Sequence, residues 1–113
     1  MMMIINESAE YITTSFPKEN SKLTVLIADD FKKSMCQLID EKQGNLILDL
    51  ASISFIDSSG FGSLIAVFTH AKNQQAHLKL CNIKPMVMSL IKITKLDQVL
   101  EIYESIDDAI KSI

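Results

Sequence analysis

Residues 46–64 read LILDLASISFIDSSGFGSL. Leu46-Ile47-Leu48 is an unbroken apolar run, the pattern of a central strand covered on both faces. After a short spacer, Ile53-Ser54-Phe55-Ile56 leads into Asp57-Ser58-Ser59-Gly60. Phe61, Leu64, Ile65 and Phe68 then recur at helical spacing and predict a helix running to about Asn73. A strand, a turn rich in hydroxyls and a helix therefore follow one another. The N–H groups at such a helix start have no intrahelical acceptor and carry partial positive charge. An anion suits that place, and a phosphorylated serine would supply one.

Working outward, the same alternation continues. Met3–Asn6 and Tyr11–Phe16 read as a strand pair turning at Glu7-Ser8-Ala9-Glu10. Pro17–Ser21 is polar and reads as a loop, and Leu23–Leu26 as a brief extended run. Asp29 and Asp30 favour a helix start by charge. Phe31, Met35, Leu38 and Ile39 form one helical face, which Gly44 closes. His77–Cys81 reads as a strand. Pro85 opens a helix with Val87, Leu90 and Ile91 on its inner face. Leu100–Tyr103 is a last short strand. Ser105-Ile106-Asp107-Asp108 resembles a capping box with Asp in place of Glu, opening a terminal helix that buries Ile106, Ala109, Ile110 and Ile113. Strands alternating with helices predict one α/β domain over 1–113, with a mostly parallel sheet, an antiparallel N-terminal edge and about four helices.

The chain has 113 residues and a net charge of -3, and all eleven basic residues are lysine. This balance gives no electrostatic case for nucleic acid, and bidentate arginine clamps on phosphate are absent. Cys36 and Cys81 are far apart and read as buried, reduced thiols, without the spacing of a metal site. The apolar start Met1-Met2-Met3-Ile4-Ile5 is short, lacks a basic region and does not read as a signal peptide. No run approaches the roughly 18 apolar residues of a membrane helix. The expectation is a cytoplasmic protein without membrane insertion, metal or cofactor.

Several chemistries compete for the central turn. Asp and Ser are preferred helix caps, so spacing alone equally gives an ordinary capped start. Gly60-Phe61-Gly62 is a fragment of a dinucleotide fingerprint, but Ile65 stands where a third small residue belongs, and there is no phosphate-loop lysine. Ser58 lies in no nucleophile elbow, and His70 is three turns along the same helix, too far to act as its base. Asp49 reads as a structural carboxylate at the end of its strand. Met86, Met88 and Pro85 could border a partner surface.

Taken over its whole length, LILDLASISFIDSSGFGSL resembles the signature of the STAS domain in anti-sigma factor antagonists, and the order of elements matches that fold over nearly the whole chain. The resemblance implies a binding switch and not an enzyme. Ser58 is the implied phosphorylation site, with Asp57, Ser59, Gly60 and Gly62 as supporting motif residues. The implied partners are a serine kinase of the ATPase-fold type that doubles as anti-sigma factor, which supplies the ATP, and a PP2C-type phosphatase. The expected contact surface comprises the Ser58–Ser63 helix start with Ser63, the Thr24–Ala28 loop with Thr24, Ile27 and Ala28, and exposed residues of the Phe61–Asn73 helix; Leu26 and Ile27 either pack inward or form its apolar part, and Lys72 and Lys79 lie further off. Many relatives carry a G-x-L-D-x-x-T-A-like segment there. In Ser21–Ala28, Leu23 and Ala28 fit it, while Thr24 and Ile27 replace the Asp and Thr. Two alternatives stay open: a subunit of a larger signalling or lipid-transport complex, and a nucleotide-binding module.

Overall fold

A computed structural model describes residues 3–113, so Met1 and Met2 of the apolar start lie outside the described residues. Strands β1 (Ile4–Glu7) and β2 (Ile12–Ser15) form the antiparallel pair. Then come β3 (Ser21–Leu23), helix α1 (Val25–Lys42), β4 (Asn45–Asp49), β5 (Ile53–Ile56) and α2 (Ser58–Asn73). The chain continues through β6 (His77–Cys81), α3 (Pro85–Ile93), a 3-10 turn at Leu96–Gln98, β7 (Glu101–Tyr103) and α4 (Ile106–Lys111). The main sheet has the order β1-β2-β4-β6-β7, parallel from β2 onward. The fold is the predicted α/β domain with a mostly parallel sheet, an antiparallel edge and four helices.

The main core lies between this sheet and the α1 and α2 layer. Phe31, Met35 and Ile39 of α1 meet Leu46 and Leu48 of β4, Leu64 and Val67 of α2, and Leu78 and Leu80 of β6. The apolar spacings read from sequence become buried faces, and Leu46, Ile47 and Leu48 have no exposed surface. Side chains alternate across a strand, so Ile47 and Cys81 fall on the opposite face, where Ala109 of α4 covers them with Tyr11, Tyr103, Ile106 and Ile110 alongside. Ser105 caps α4 through its hydroxyl, which accepts the Asp108 N–H at 3.1 Å. Ile113 does not join this core; it remains half exposed.

Three features differ from the sequence reading. First, β3 and β5 pair in parallel as a separate two-stranded sheet, with Leu23 opposite Ile56. Second, Leu23–Leu26 is not one extended run, and the helix does not begin at Asp29. Thr24 is extended and α1 starts at Val25, which puts Leu26, Ile27 and Ala28 in helix and Asp29 and Asp30 in its second turn. Third, Cys36 is only partly buried; Cys81 alone is fully enclosed, and both thiols are free. Gln43 and Gly44 take positive φ at the end of α1, as the glycine signal implied.

Candidate functional site

The turn 57–60 lies where β5 hands the chain to α2. Asp57 is the N-cap residue in extended conformation. Its Oδ1 accepts the Gly60 N–H at 2.8 Å, satisfying one orphan donor of the helix. Its Oδ2 accepts the Val25 N–H at 3.0 Å, at the first position of α1. Thr24, the local N-cap residue of α1, makes no side-chain cap bond. One carboxylate thus serves the starts of two helices. The Asp57 N–H also donates to the Leu23 carbonyl at 3.2 Å, which ties the same residue to the end of β3.

Ser58 follows at the first helical position and is exposed, as is Ser59. No hydrogen bond joins the Ser58 hydroxyl to another described residue, which leaves it available to an incoming group. Gly60 is buried, and a Cβ there would stand 2.1 Å from the Leu23 carbonyl oxygen and 2.7 Å from Ile56 Cγ2. The backbone that approaches Gly60 is therefore the protein's own β3. Gly62 is exposed with nothing within 4 Å of a built Cβ, so packing does not require a glycine there.

The expected contact residues divide. Ser59 and Gly62 are exposed, and Thr24 and Ile27 are half-buried, with Ile27 packed against the core. Ala28 and Ser63 are buried at 7% and 6% exposure, and the Ser63 hydroxyl donates to the Gly60 carbonyl at 2.7 Å. Both line a shallow groove of about 360 Å³ together with Val25 and Asp29 of α1 and Ser59 and Gly62 of α2. Val25 and Leu26, within the expected Thr24–Ala28 stretch, are 66% and 88% exposed, although they stand in the first turn of a helix and not in a loop.

The remaining polar candidates are engaged elsewhere. His70 Nε2 lies 2.7 Å from Asp40 Oδ1, linking α2 to α1 away from Ser58. Asp49 Oδ1 accepts from the Ala51 N–H at 2.9 Å and from Asn82 Nδ2 at 3.2 Å, the structural role its strand-end position implied. Lys79, in the middle of β6, is 5% exposed. Its Nζ is 3.7 Å from Glu101 Oε1 and 5.3 Å from the Tyr103 ring centre. Among the described residues, no group of His, Cys, Asp and Glu could hold a metal ion, and no helix is long and apolar enough to cross a membrane.

A family model described as the STAS domain matches residues 19–109. The anti-sigma-B factor antagonist of Listeria monocytogenes is 28% identical over 71 residues, a match spanning 62% of this chain and 62% of the relative. A putative anti-sigma factor antagonist from Thermotoga maritima superposes with a TM-score of 0.88 at 20% identity, covering 98% of this chain and 93% of that one. The anti-sigma factor antagonist SpoIIAA in its unphosphorylated form superposes with a TM-score of 0.68 at 14% identity, covering 98% and 96%. At these identities the two structures speak for the fold.

Proposed function

The chain belongs to the STAS domain family, and from that premise we propose that it is a phosphorylation-controlled protein-binding switch similar to an anti-sigma factor antagonist. The unphosphorylated form binds a serine kinase of the ATPase-fold type that also holds another client, and so frees that client. The kinase then modifies Ser58. The Ser58 oxygen attacks the γ-phosphorus of ATP held by the kinase, a new O–P bond forms, the bond to ADP breaks, and the hydroxyl proton passes to the kinase. A PP2C-type phosphatase resets the switch by hydrolysis, which returns the hydroxyl and inorganic phosphate.

The observation that carries this reading is the exposed, unengaged Ser58 hydroxyl at the start of α2, immediately after a carboxylate that is already committed to Val25 and Gly60. The helix start can accept a phosphate, worth about 0.3–1 kcal/mol of favourable dipole interaction, so the fold need not melt. A partner that buried Ser58 would meet about -1.5 to -2 new charges. A loss of about 3 kcal/mol then weakens binding more than a hundredfold. His70, the histidine of the same helix, is held by Asp40, and the Asp57 carboxylate is engaged by two backbone N–H groups, which favours a substrate of a kinase over a hydrolytic nucleophile.

The test is incubation with ATP and candidate ATPase-fold serine kinases, with the modified residue mapped by mass spectrometry. Label should fall on Ser58 and vanish in Ser58→Ala. Ser58→Asp adds about one charge to the exposed helix start and should weaken kinase binding in part, with circular dichroism unchanged. Label confined to Ser59 or Ser63, or full-strength binding by both Ser58→Asp and the true phosphoprotein, would refute the switch.

A further inference from the structure

At the end of α2 remote from Ser58, a cavity of about 460 Å³ opens between the last turns of that helix, the start of β6 and the chain entering β7. Phe68, Leu78 and Val99 give it an apolar lining, with Lys72, His77 and Glu101 around them. Phe68 and Leu78 belong to the main core, whereas Val99 is 55% exposed. The charges are not equivalent. Glu101 sits opposite Lys79 across β6 and β7, and its Oε1 lies 3.7 Å from the Lys79 Nζ. Alternation sets that pair on the face of the sheet opposite Leu78, so Glu101 is engaged away from the apolar lining. Lys72 stays with the lining, its ammonium 5.7 Å from the centre of the Phe68 ring. Among the described residues, no carboxylate pairs with that ammonium.

We propose that this cavity binds a small amphipathic monocarboxylate, its apolar body against Phe68, Leu78 and Val99 and its carboxylate accepting hydrogen bonds from the Lys72 ammonium. A cavity of this size, mainly apolar and with a charge placed at one side, is the ordinary form of a small-molecule site. An ammonium without a carboxylate partner, set over an aromatic ring, selects an anion over a neutral ligand. A single negative charge fits best. The last turn of α2 carries partial negative charge, which opposes a doubly charged group such as a phosphate, and the chain has no arginine to clamp one. The cavity and the Ser58 turn lie at opposite ends of α2, so binding here does not depend on the switch.

The test titrates the full chain with octanoate while amide NMR resonances are followed, with octanamide as the neutral counterpart and octyl phosphate as the dianion. Saturable shifts should centre on Phe68, Lys72, Leu78 and Val99. Octanamide should bind about three- to fivefold more weakly than octanoate, the worth of one partly exposed ion pair. Lys72→Met keeps an apolar stem beside Phe68; it should bring octanoate down to the level of octanamide and leave octanamide unchanged. Val99→Glu sets a like charge at the cavity and should weaken octanoate at least about tenfold. Lys72 and Val99 are both exposed, so the circular dichroism of the two variants should match the wild type, which separates loss of the site from loss of the fold. An absence of saturable shifts overturns the site, as do shifts of equal size at the exposed apolar residues Leu26 and Ile93. Equal binding of octanoate and octanamide overturns the part given to Lys72 and with it the carboxylate. Tighter binding of octyl phosphate than of octanoate overturns the monocarboxylate class in favour of a phosphate ligand.

Discussion

Gly60 and Gly62 stand in one turn of α2 under opposite constraints. A methyl group at Gly60 would sit 2.1 Å from the Leu23 carbonyl oxygen, whereas one at Gly62 meets nothing within 4 Å. Gly60→Ala must push the start of α2 away from β3 and should cost about 1–3 kcal/mol. Gly62→Ala should stabilise by about 0.5–1 kcal/mol, since the chain has less freedom to lose. Thermal melts of the two variants should move in opposite directions. Cys81 offers a second test at this scale. Burial, and secondarily the Asp49 carboxylate, pushes its thiol from 9.0 to about 12. Below pH 9 the folded and unfolded chains both keep the proton. Above it the unfolded chain gives the proton up first, so stability falls as pH rises through the interval. Unfolding free energies measured from pH 8 to 11 should decline less steeply in Cys81→Ala than in the wild type, although the variant is weaker overall.

At the scale of elements, the rung joining Ile47, Lys79 and Glu101 across β4, β6 and β7 sets a further expectation. Lys79→Glu would place a buried charge against Glu101 and should cost about 3 kcal/mol or more. Lys79→Met keeps the packed stem and should cost less than about 1.5 kcal/mol. Denaturant titration separates the two, and Lys79→Glu is unsuitable as a probe of partner binding because it strikes the fold. The burial of Lys79 is not legible in the sequence, for a physical reason. Alternation puts Lys79 opposite Leu78 and Leu80, but nothing local says that α4 covers that second face. The start of α1 was hidden in the same way, because its cap comes from Asp57 in a later loop. Strand β3 is three residues long and gains its identity only by pairing with β5. The face of α1 through Phe31, Met35, Leu38 and Ile39, the buried run of β4 and the Ser58 turn were legible, because each depends on spacing or cap chemistry within one segment. The burial of Ser63 was legible too, since it shares the spacing of Gly60, Leu64 and Val67 on the buried face of α2, although its place near the helix start suggested a contact residue.

On the scale of the whole molecule, α1 belongs to two crossovers at once. It lies between β2 and β4, which pair in parallel in the main sheet, and also between β3 and β5, which pair in parallel in the small one. Ile12 meets Leu46 and Leu23 meets Ile56, so both pairings span nearly equal stretches of chain. Closing a loop costs entropy that grows only slowly with its length, and docking α1 achieves both closures in one event. The two sheets should therefore assemble together during refolding, with the helix as their common nucleus. Shortening Phe31, which is fully buried in α1, should slow refolding by the same factor whether stopped-flow fluorescence follows a reporter in β2 or one in β5; two distinct rate constants would mean that the small sheet zips up on its own.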